Sequence, residues 1–321
     1  MSVFLLSCKK MDEPGNLVPK TVDQDFSLPS ISVNGALLHS EAFGHPDSSI
    51  IVSIHGGPGA DYRYMLNGKE LAQHGYRVVF YDQRGSGLSQ RFPESFYTSL
   101  GGKAIEYLFY EELTGVINHY KTHPNQKVFL LGHSWGAMLA TGYAANYPNS
   151  ISGIAIMEPG GLKWDDILEY VGNSQAFGLW SELSNDATYK DQFISGKKDQ
   201  HEILDYKLTL LGSANDITEE NNNNTENFWR PGSVVSMMAI ELGQKTKPDF
   251  SIGISSFQKP VLFFYSEKNL AYPDSWAQKI SSVFPNKEIV KVMGVGHSGM
   301  YDKKTWTTIT KSKLLTYLNS L

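Results

Sequence analysis

The sequence predicts an α/β protein in which a mostly parallel, doubly wound sheet carries an inserted helical cap. Short β-prone apolar runs alternate with helix-like segments through most of the chain, and this alternation is typical of a parallel sheet with helices on both faces. Between Gly160 and Lys259 the alternation stops, and Trp, Asn and helix-forming residues replace it. With 321 residues, 41% of them hydrophobic, the chain is long enough to bury a full core around such a sheet.

The strands can be assigned in chain order from their apolar runs. A β-hairpin opens the domain, because Asn34-Gly35 lies between the runs Ile31–Val33 and Ala36–Leu38, and Asn-Gly is the strongest local hairpin signal. The following runs predict the strands that come next: Ile50–Ile54, Val78–Tyr81, Val128–Leu131, Ile151–Met157, Val261–Tyr265 and Ile289–Val292. The segment Lys303–Leu318 predicts a closing helix.

These elements divide the chain into three parts. Residues 26–159 and 260–321 form the predicted core, and residues 160–259 form the predicted cap. Within the cap, the polar run Glu219–Asn224 indicates an exposed loop. Residues 1–25 are interpreted as a signal remnant or a polar tether.

The N-terminal residues resemble the end of a bacterial lipoprotein signal. In Leu5-Leu6-Ser7-Cys8 a small residue precedes a cysteine, which is the residue that becomes lipidated in such proteins. If this match is genuine, Cys8 carries a lipid anchor and the protein lies at the cell envelope. If the match is due to chance, the protein is cytoplasmic and Cys8 is a buried or idle thiol.

Composition excludes several classes of function. A net charge of −5 and a pI near 6.0 offer no broad basic surface, so a nucleic acid is not an expected partner. A single cysteine excludes an internal disulfide framework and a cysteine-rich metal site, and no cofactor or metal is expected. A small molecule or a short peptide is the expected substrate.

Gly132-His133-Ser134-Trp135-Gly136 is a G-x-S-x-G nucleophile elbow in the expected context. A β-prone run ends at Leu131, and a helical run begins shortly after the motif, at Ala137. The glycines leave room for a strained turn between strand and helix, and the helix N-terminus favours developing negative charge. Ser134 is therefore the predicted nucleophile.

His297 is the predicted general base. It lies in a Gly-rich loop after the last predicted strand, and the order of serine first and histidine last is the one expected when this elbow supplies the nucleophile. His55 and His133 also lie in motifs, but one precedes a glycine turn and the other lies inside the elbow. Those two positions favour a structural role.

A second motif, His55–Gly59, follows the strand that ends at Ile54 and predicts an oxyanion hole. A Gly-rich turn brings bare backbone close to the serine. The backbone N–H groups of Gly57 and Trp135 can therefore stabilise a tetrahedral oxyanion together.

Three motifs together resemble the proline iminopeptidase family, whose members are serine hydrolases of the α/β-hydrolase fold. The motifs are His55–Gly59, Asp82–Ser89 and the Ser134 elbow with Trp135, and the resemblance covers residues 30–160 and 260–300. It implies release of N-terminal residues, preferably proline, from peptides by Ser, Asp and His without a metal. It also implies that Asp82–Ser89 is a structural turn beside the active site.

The third triad residue departs from that family. Asn269 occupies the place of the family's aspartate, after the seventh strand and ahead of Pro273, and an amide cannot supply the negative charge that stabilises imidazolium. The stretch that ends in Glu158-Pro159 is similar instead to certain haloalkane dehalogenases, in which a glutamate after the sixth strand is the acid. Glu158 is therefore the predicted acid, with Glu267, or Asn269 as a neutral orienter, as alternatives. Dehalogenation itself is not implied, because those enzymes attack with an aspartate where this chain has Ser134.

The predicted chemistry is hydrolysis through an acyl-enzyme, in an aminopeptidase or amidase similar to the proline iminopeptidases. Such an activity needs carboxylates that bind the free amine of the substrate, and Glu182 and Glu241 in the cap are the candidates. A carboxylesterase or lactonase with the same triad is the alternative. A non-catalytic ligand-binding protein on this fold is a third hypothesis, to be favoured if the triad lacks an acid.

Overall fold

A computed structural model describes residues 12–100, 105–174, 196–214 and 228–321, and its centre is an eight-stranded sheet. The strands lie in the order β1-β2-β4-β3-β5-β6-β7-β8. Strand β2 runs antiparallel to β1 and β4, and the remaining neighbours are parallel. The strands are β1 (Ser30–Val33), β2 (Ala36–Phe43), β3 (Ser49–Ile54), β4 (Tyr76–Tyr81), β5 (Val128–His133), β6 (Gly153–Met157), β7 (Val261–Ser266) and β8 (Lys287–Val292).

Helices cover both faces of this sheet, as the alternating pattern predicts. They are α1 (Glu94–Thr98), α2 (Ile105–Tyr120), α3 (Trp135–Asn146), α4 (Trp164–Asn173), α5 (Gln200–Ala214), α6 (Ser233–Thr246), α7 (Asp274–Ser281), α8 (Lys303–Thr305) and α9 (Lys311–Asn319). A 3-10 helix (Arg63–His74) connects β3 to β4. A π-helical turn (Trp306–Thr310) joins α8 to α9, so the predicted closing helix is present with a change of pitch inside it. The prediction of an α/β-hydrolase fold is confirmed.

The apolar strands explain the two layers of helices. In β3, Ile50 and Val52 belong to one buried cluster and Ile51 to the other, because successive side chains of a strand point to opposite faces. Both faces of the central strands are therefore buried, as continuous apolar runs predict. The hairpin between β1 and β2 turns at Asn34 and Gly35, which have φ values of 47° and 75°, the positive values that a two-residue hairpin turn of this kind requires.

The segment between β6 and β7 contributes helices α4, α5 and α6, and we call residues 160–259 the inserted segment. Its helix α6 begins against the turn that follows β3. There the Gly232 N–H donates to the Gly59 carbonyl at 2.7 Å, and the Ser236 hydroxyl donates to the Pro58 carbonyl at 2.5 Å. A Cβ on Gly59 would lie 2.0 Å from Ser236 Oγ, so this contact requires glycine. The inserted segment thus packs directly on one wall of the predicted site.

The described part of the N-terminal region, residues 12–25, differs from the expected tether. Val18 and Val22 are buried, and the Val22 N–H donates to the Leu88 carbonyl at 2.8 Å. The Leu17 N–H donates to Glu202 on α5 at 2.9 Å. Two buried valines and these hydrogen bonds hold the segment against both the core and the inserted segment. Residues 1–11, with the predicted lipidation site Cys8, lie outside the described residues.

Within the described ranges, no helix combines the length and the hydropathy that crossing a membrane requires.

Candidate active site

Ser134 lies on a strained turn between β5 and α3. Its φ of 52° and ψ of −120° are unusual for a residue with a side chain, and such strain costs about 1–3 kcal/mol unless the surroundings enforce it. A Cβ on Gly132 would lie 2.4 Å from the Gly136 carbonyl oxygen, and a Cβ on Gly136 would lie 2.0 Å from the Ile54 carbonyl oxygen. The two glycines of the motif are therefore required by close backbone approach.

Glu158 follows β6 and is fully buried, with a φ of 45°. Its Oε2 lies 2.5 Å from His297 Nδ1 and 2.8 Å from Asn269 Nδ2. Its Oε1 accepts hydrogen bonds from both the N–H and the hydroxyl of Ser266, each at 2.5 Å. Four donors thus converge on one carboxylate, and they fix its orientation toward the imidazole.

The alternative acids occupy different surroundings. Glu267 is exposed, and its Oε2 accepts the Gly294 N–H at 2.8 Å. Asn269 is buried, and its Nδ2 lies 3.4 Å from His297 Nδ1, farther than the Glu158 oxygen. Because that amide nitrogen is a donor and contacts Glu158, Asn269 supports the carboxylate rather than replacing it.

His297 connects the buried carboxylate with the cavity that Ser134 lines. Its side chain is 16% exposed, and its ring packs on His133 with centroids 4.5 Å apart. A hydrogen bond to a carboxylate requires the proton on Nδ1, which leaves Nε2 as the basic nitrogen. Ser134 and His297 line the same cavity.

Gly57 and Trp135, the predicted oxyanion-hole residues, border that cavity with Ser134. Trp135 is the first residue of α3, where backbone N–H groups have no partner inside the helix. Gly57 has a φ of 126°, and a Cβ there would lie 2.4 Å from the Gly59 nitrogen, so only glycine fits. The Trp135 ring is anchored separately, through a 3.0 Å hydrogen bond from Nε1 to Gln83.

His55 and His133 are buried away from the cavity, in agreement with a structural role. The Nε2 of His55 accepts the Gln83 N–H at 3.0 Å, and Nδ1 donates to the Gly56 carbonyl at 2.8 Å. His133 lies between Tyr64 and the His297 carbonyl, at 2.8 and 2.9 Å. Burial lowers the pKa of both histidines, so both are neutral.

The Asp82–Ser89 segment folds back on its own first residue. Asp82 Oδ2 accepts the Leu88 N–H and contacts His39 Nδ1, each at 2.8 Å. A Cβ on Gly87 would lie 2.1 Å from the Asp82 carboxyl group. These contacts are those of a tight structural turn.

Asp61 lies just after the His55–Gly59 turn and connects it to the inserted segment. Its Oδ2 accepts the backbone N–H groups of Trp229 at 2.6 Å and of Arg230 at 3.1 Å. Burial, with the nearby Asp82 charge, raises the pKa of Asp61 to about 7.

The sequence analysis did not single out Asp61, Ser266 or Tyr64. Only Ser266 had a positional signal, since it ends a parallel strand at the functional rim.

The cavity above Ser134 has a volume of about 320 Å³ and is mainly apolar. Apart from Ser134, His297 and the aromatic residues, the polar side chains of its described wall are Ser174 and Gln244, and none is acidic. Glu241, a predicted amine-binding residue, lies on the solvent side of α6, paired with Lys245 at 2.6 Å, and does not line the cavity. Glu182, the other candidate, lies outside the described residues. The apolar wall comprises mainly Trp135, Met138, Trp164, Ile167, Val171 and Phe250.

The comparisons with known proteins agree with this fold. The family model described as alpha/beta hydrolase fold matches residues 49–304, which is most of the chain. A sheet of this order with a serine elbow, a late histidine and a buried carboxylate defines an α/β hydrolase. The chain belongs to the alpha/beta hydrolase family.

The individual relatives have different named activities, and each matches this chain either over part of its length or at low identity. A proline iminopeptidase of Thermoplasma volcanium is 37% identical over 112 residues, covering 35% of this chain and 34% of the relative. The match thus spans about a third of that curated relative's length. A probable lysophospholipase L2 of Haemophilus influenzae is 25% identical over 74% of this chain and 75% of its own length. The solved structure of the proline iminopeptidase of Mycobacterium smegmatis shares the fold, with a TM-score of 0.58 at 18% identity over 90% of this chain and 97% of its own.

Proposed function

We propose that the protein is a serine hydrolase that acts through an acyl-enzyme on Ser134. The observation that carries this proposal is the 2.5 Å contact between Glu158 Oε2 and His297 Nδ1, in a protein whose elbow brings Ser134 to the same cavity as His297. A nucleophile, a base and a buried carboxylate that orients the base are the parts that acyl transfer to a serine requires.

The proposed reaction proceeds in two balanced halves. His297 Nε2 takes the hydroxyl proton of Ser134 while Oγ bonds to the carbonyl carbon of the substrate, and the N–H groups of Gly57 and Trp135 stabilise the oxyanion. The imidazolium then returns that proton to the leaving alcohol or amine, and the acyl-enzyme remains. Water gives a proton to Nε2 and attacks the acyl carbon. Ser134 regains the proton, and the acid departs.

The cavity favours an ester of a compact apolar acyl group as the substrate. A volume of about 320 Å³ holds a small acyl chain or ring, and the wall supplied by Met138, Trp164 and Phe250 offers contact without charge. An ester needs no buried counter-charge. The H. influenzae relative, to which this chain is similar over three quarters of its length, is named as a lysophospholipase, and lysophospholipids are carboxylic esters.

A proline iminopeptidase-like aminopeptidase is the second candidate. It is favoured by the 37% identity with the T. volcanium proline iminopeptidase, although that identity covers about a third of either chain. A prolyl ring would fit the apolar wall, but its free amine would need an acidic partner, which the described part of the wall does not supply.

Two measurements test the proposal. A fluorophosphonate probe should label Ser134, as mapped by peptide mass spectrometry, and Ser134→Ala should abolish both labelling and turnover. Ser312→Ala, at an exposed serine on α9, is the matched control and should react as the wild type does. Labelling at another residue, or undiminished turnover in Ser134→Ala, would overturn the proposal, and a protein inert to probe and substrates would favour the non-catalytic alternative.

A substrate panel then separates the two candidates. We expect p-nitrophenyl butyrate to be cleaved with a higher kcat/KM than prolyl-p-nitroanilide. The reverse order would establish the aminopeptidase instead, and would direct attention to Glu182 as the residue that binds the amine.

A further inference from the structure

A continuous series of hydrogen bonds runs behind the active site, from the His55–Gly59 turn to the loop that contains His297. The Gly56 N–H donates to the Tyr64 hydroxyl oxygen at 2.9 Å. Tyr64 Oη lies 2.8 Å from His133 Nδ1, and His133 Nε2 lies 2.9 Å from the His297 carbonyl oxygen. The proposed chemistry uses neither Tyr64 nor the His133 ring, although both are buried beside it.

The proton positions in this series of hydrogen bonds follow from its two terminal groups, because the Gly56 N–H can only donate and the His297 carbonyl can only accept. Burial raises the pKa of Tyr64 far above its ordinary value, so the phenol keeps its proton and, with its oxygen accepting from Gly56, donates to His133 Nδ1. Burial lowers the pKa of His133, so its ring is neutral and carries its one proton on Nε2. That proton is donated to the His297 carbonyl. Every bond therefore has one direction, and none can be reversed without leaving a buried group unpaired.

This series of hydrogen bonds joins three loops that must be aligned for catalysis. Gly56 precedes Gly57 of the oxyanion hole, His133 precedes Ser134, and the carbonyl belongs to His297 itself. The loops are also tightly packed: a Cβ on Gly56 would lie 3.2 Å from both Ser134 Cβ and Tyr64 Oη. A displacement of one loop would therefore be transmitted to the other two.

We propose that Tyr64 and His133 are positioning residues that hold the oxyanion donors, the nucleophile and the base in their mutual alignment through this series of hydrogen bonds. The inference rests on the proposed serine hydrolase function. Neither residue is the nucleophile, the base or an oxyanion donor, although the His133 ring packs on the His297 ring with centroids 4.5 Å apart. Their effect is on geometry, and a displacement of about 1 Å in a catalytic arrangement can lower turnover about 100-fold.

Tyr301 allows hydrogen bonding to be separated from packing. The Tyr301 ring contacts the rings of Tyr64 and His133 edge-on, with centroid distances of 5.6 Å and 5.8 Å. It is at least as deeply buried as Tyr64, but its hydroxyl has no hydrogen-bond partner in the described part of the chain. Removing either hydroxyl makes the same chemical change in the same aromatic cluster, and only the Tyr64 hydroxyl belongs to the series of hydrogen bonds.

The test compares Tyr64→Phe with Tyr301→Phe in the full-length protein, with p-nitrophenyl butyrate as substrate and thermal unfolding as the check on folding. We expect Tyr64→Phe to lower kcat about 10- to 100-fold while KM stays within about threefold, because the alignment is lost and the binding wall is not. Tyr301→Phe should stay within about twofold of wild type in both constants.

A second pair of variants keeps the inference testable if Tyr64→Phe does not fold. His133→Gln retains an N–H donor for the His297 carbonyl, whereas His133→Leu retains none. We expect a higher kcat for His133→Gln than for His133→Leu, and equal kcat values would contradict the inference.

The two kinds of failure can be distinguished. An active wild type with unchanged kcat in Tyr64→Phe would overturn this inference alone. A wild type that is inert to both ester and fluorophosphonate would overturn the proposed function and this inference with it.

Discussion

Strands β6 and β7 end side by side beneath the same histidine, but the two ends supply different groups. Met157 and Phe264 are paired across the two strands, and the residue after Met157 is Glu158, a fully buried carboxylate 2.5 Å from His297. The β7 end supplies Ser266 and Asn269, both of which donate hydrogen bonds to that carboxylate. One strand provides the charge, and its neighbour provides the donors that orient it.

This difference shows what the β7 end supplies to a buried carboxylate on β6. The Asn269 amide nitrogen lies 3.4 Å from His297 Nδ1, so the β7 end is close enough to hold an acid. A second buried carboxylate beside Glu158 would repel it. The Asn269 amide instead donates a hydrogen bond to Glu158. Asn269 is the neutral partner that a buried acid on β6 requires.

The largest effect is expected from removing the β6 charge. Glu158→Gln keeps the size of the side chain but cannot stabilise the imidazolium, so kcat should fall about 10³- to 10⁴-fold. Steady-state kinetics with p-nitrophenyl butyrate measure this change, and thermal unfolding verifies that the variant is folded. A fall of less than about tenfold would mean that Glu158 does not act as the triad acid.

A double variant exchanges the two roles. In Glu158→Gln with Asn269→Asp, the charge moves to the β7 end, and the new amide on β6 can donate to it as Asn269 now donates to Glu158. We expect kcat to rise about 10- to 100-fold above that of Glu158→Gln alone, short of wild type because the 3.4 Å separation is longer. No recovery in a folded double variant would show that the β7 end cannot hold the acid.

A smaller effect is expected from removing a donor. Asn269→Ala deletes one of the four hydrogen bonds to Glu158, so stability should fall by about 1–3 kcal/mol, and kcat should fall about 3- to 30-fold. Glu267→Gln is the matched control from the same loop, because Glu267 is exposed and its carboxylate accepts a hydrogen bond from the Gly294 backbone rather than contacting the triad. Its kcat should stay within about twofold of wild type, and a larger loss in Glu267→Gln than in Asn269→Ala would reverse the assigned roles.

Local patterns in the sequence predict some parts of this molecule and not others. The strands, the hairpin at Asn34-Gly35 and the elbow around Ser134 are recognisable because propensity and turn chemistry act over a few neighbouring residues. Glu158 could be proposed from its place after β6, although Glu267 and Asn269 were open alternatives before the distances to His297 were known.

The remaining features depend on contacts between distant segments. Tyr64 and His133 are 69 residues apart, and no spacing rule brings their side chains together. Isolated apolar residues in a polar stretch, such as Val18 and Val22, do not reveal that the segment packs on the core. The apolar wall of the cavity combines residues from α3, α4 and the loop at Phe250, which are distant in the sequence. Because the sequence does not show which side chains meet there, the sequence analysis predicted an amine-binding site, whereas the described wall offers no acidic side chain.

The position of the proton on His297 tests the sixth-strand acid most directly. Proton NMR of the wild type should show a strongly downfield resonance from the Nδ1–H held by Glu158. We expect this resonance to persist in Asn269→Ala and to be lost, or shifted far upfield, in Glu158→Gln. A resonance that survives in Glu158→Gln and disappears in Asn269→Ala would contradict the assignment of Glu158 as the residue that orients the base.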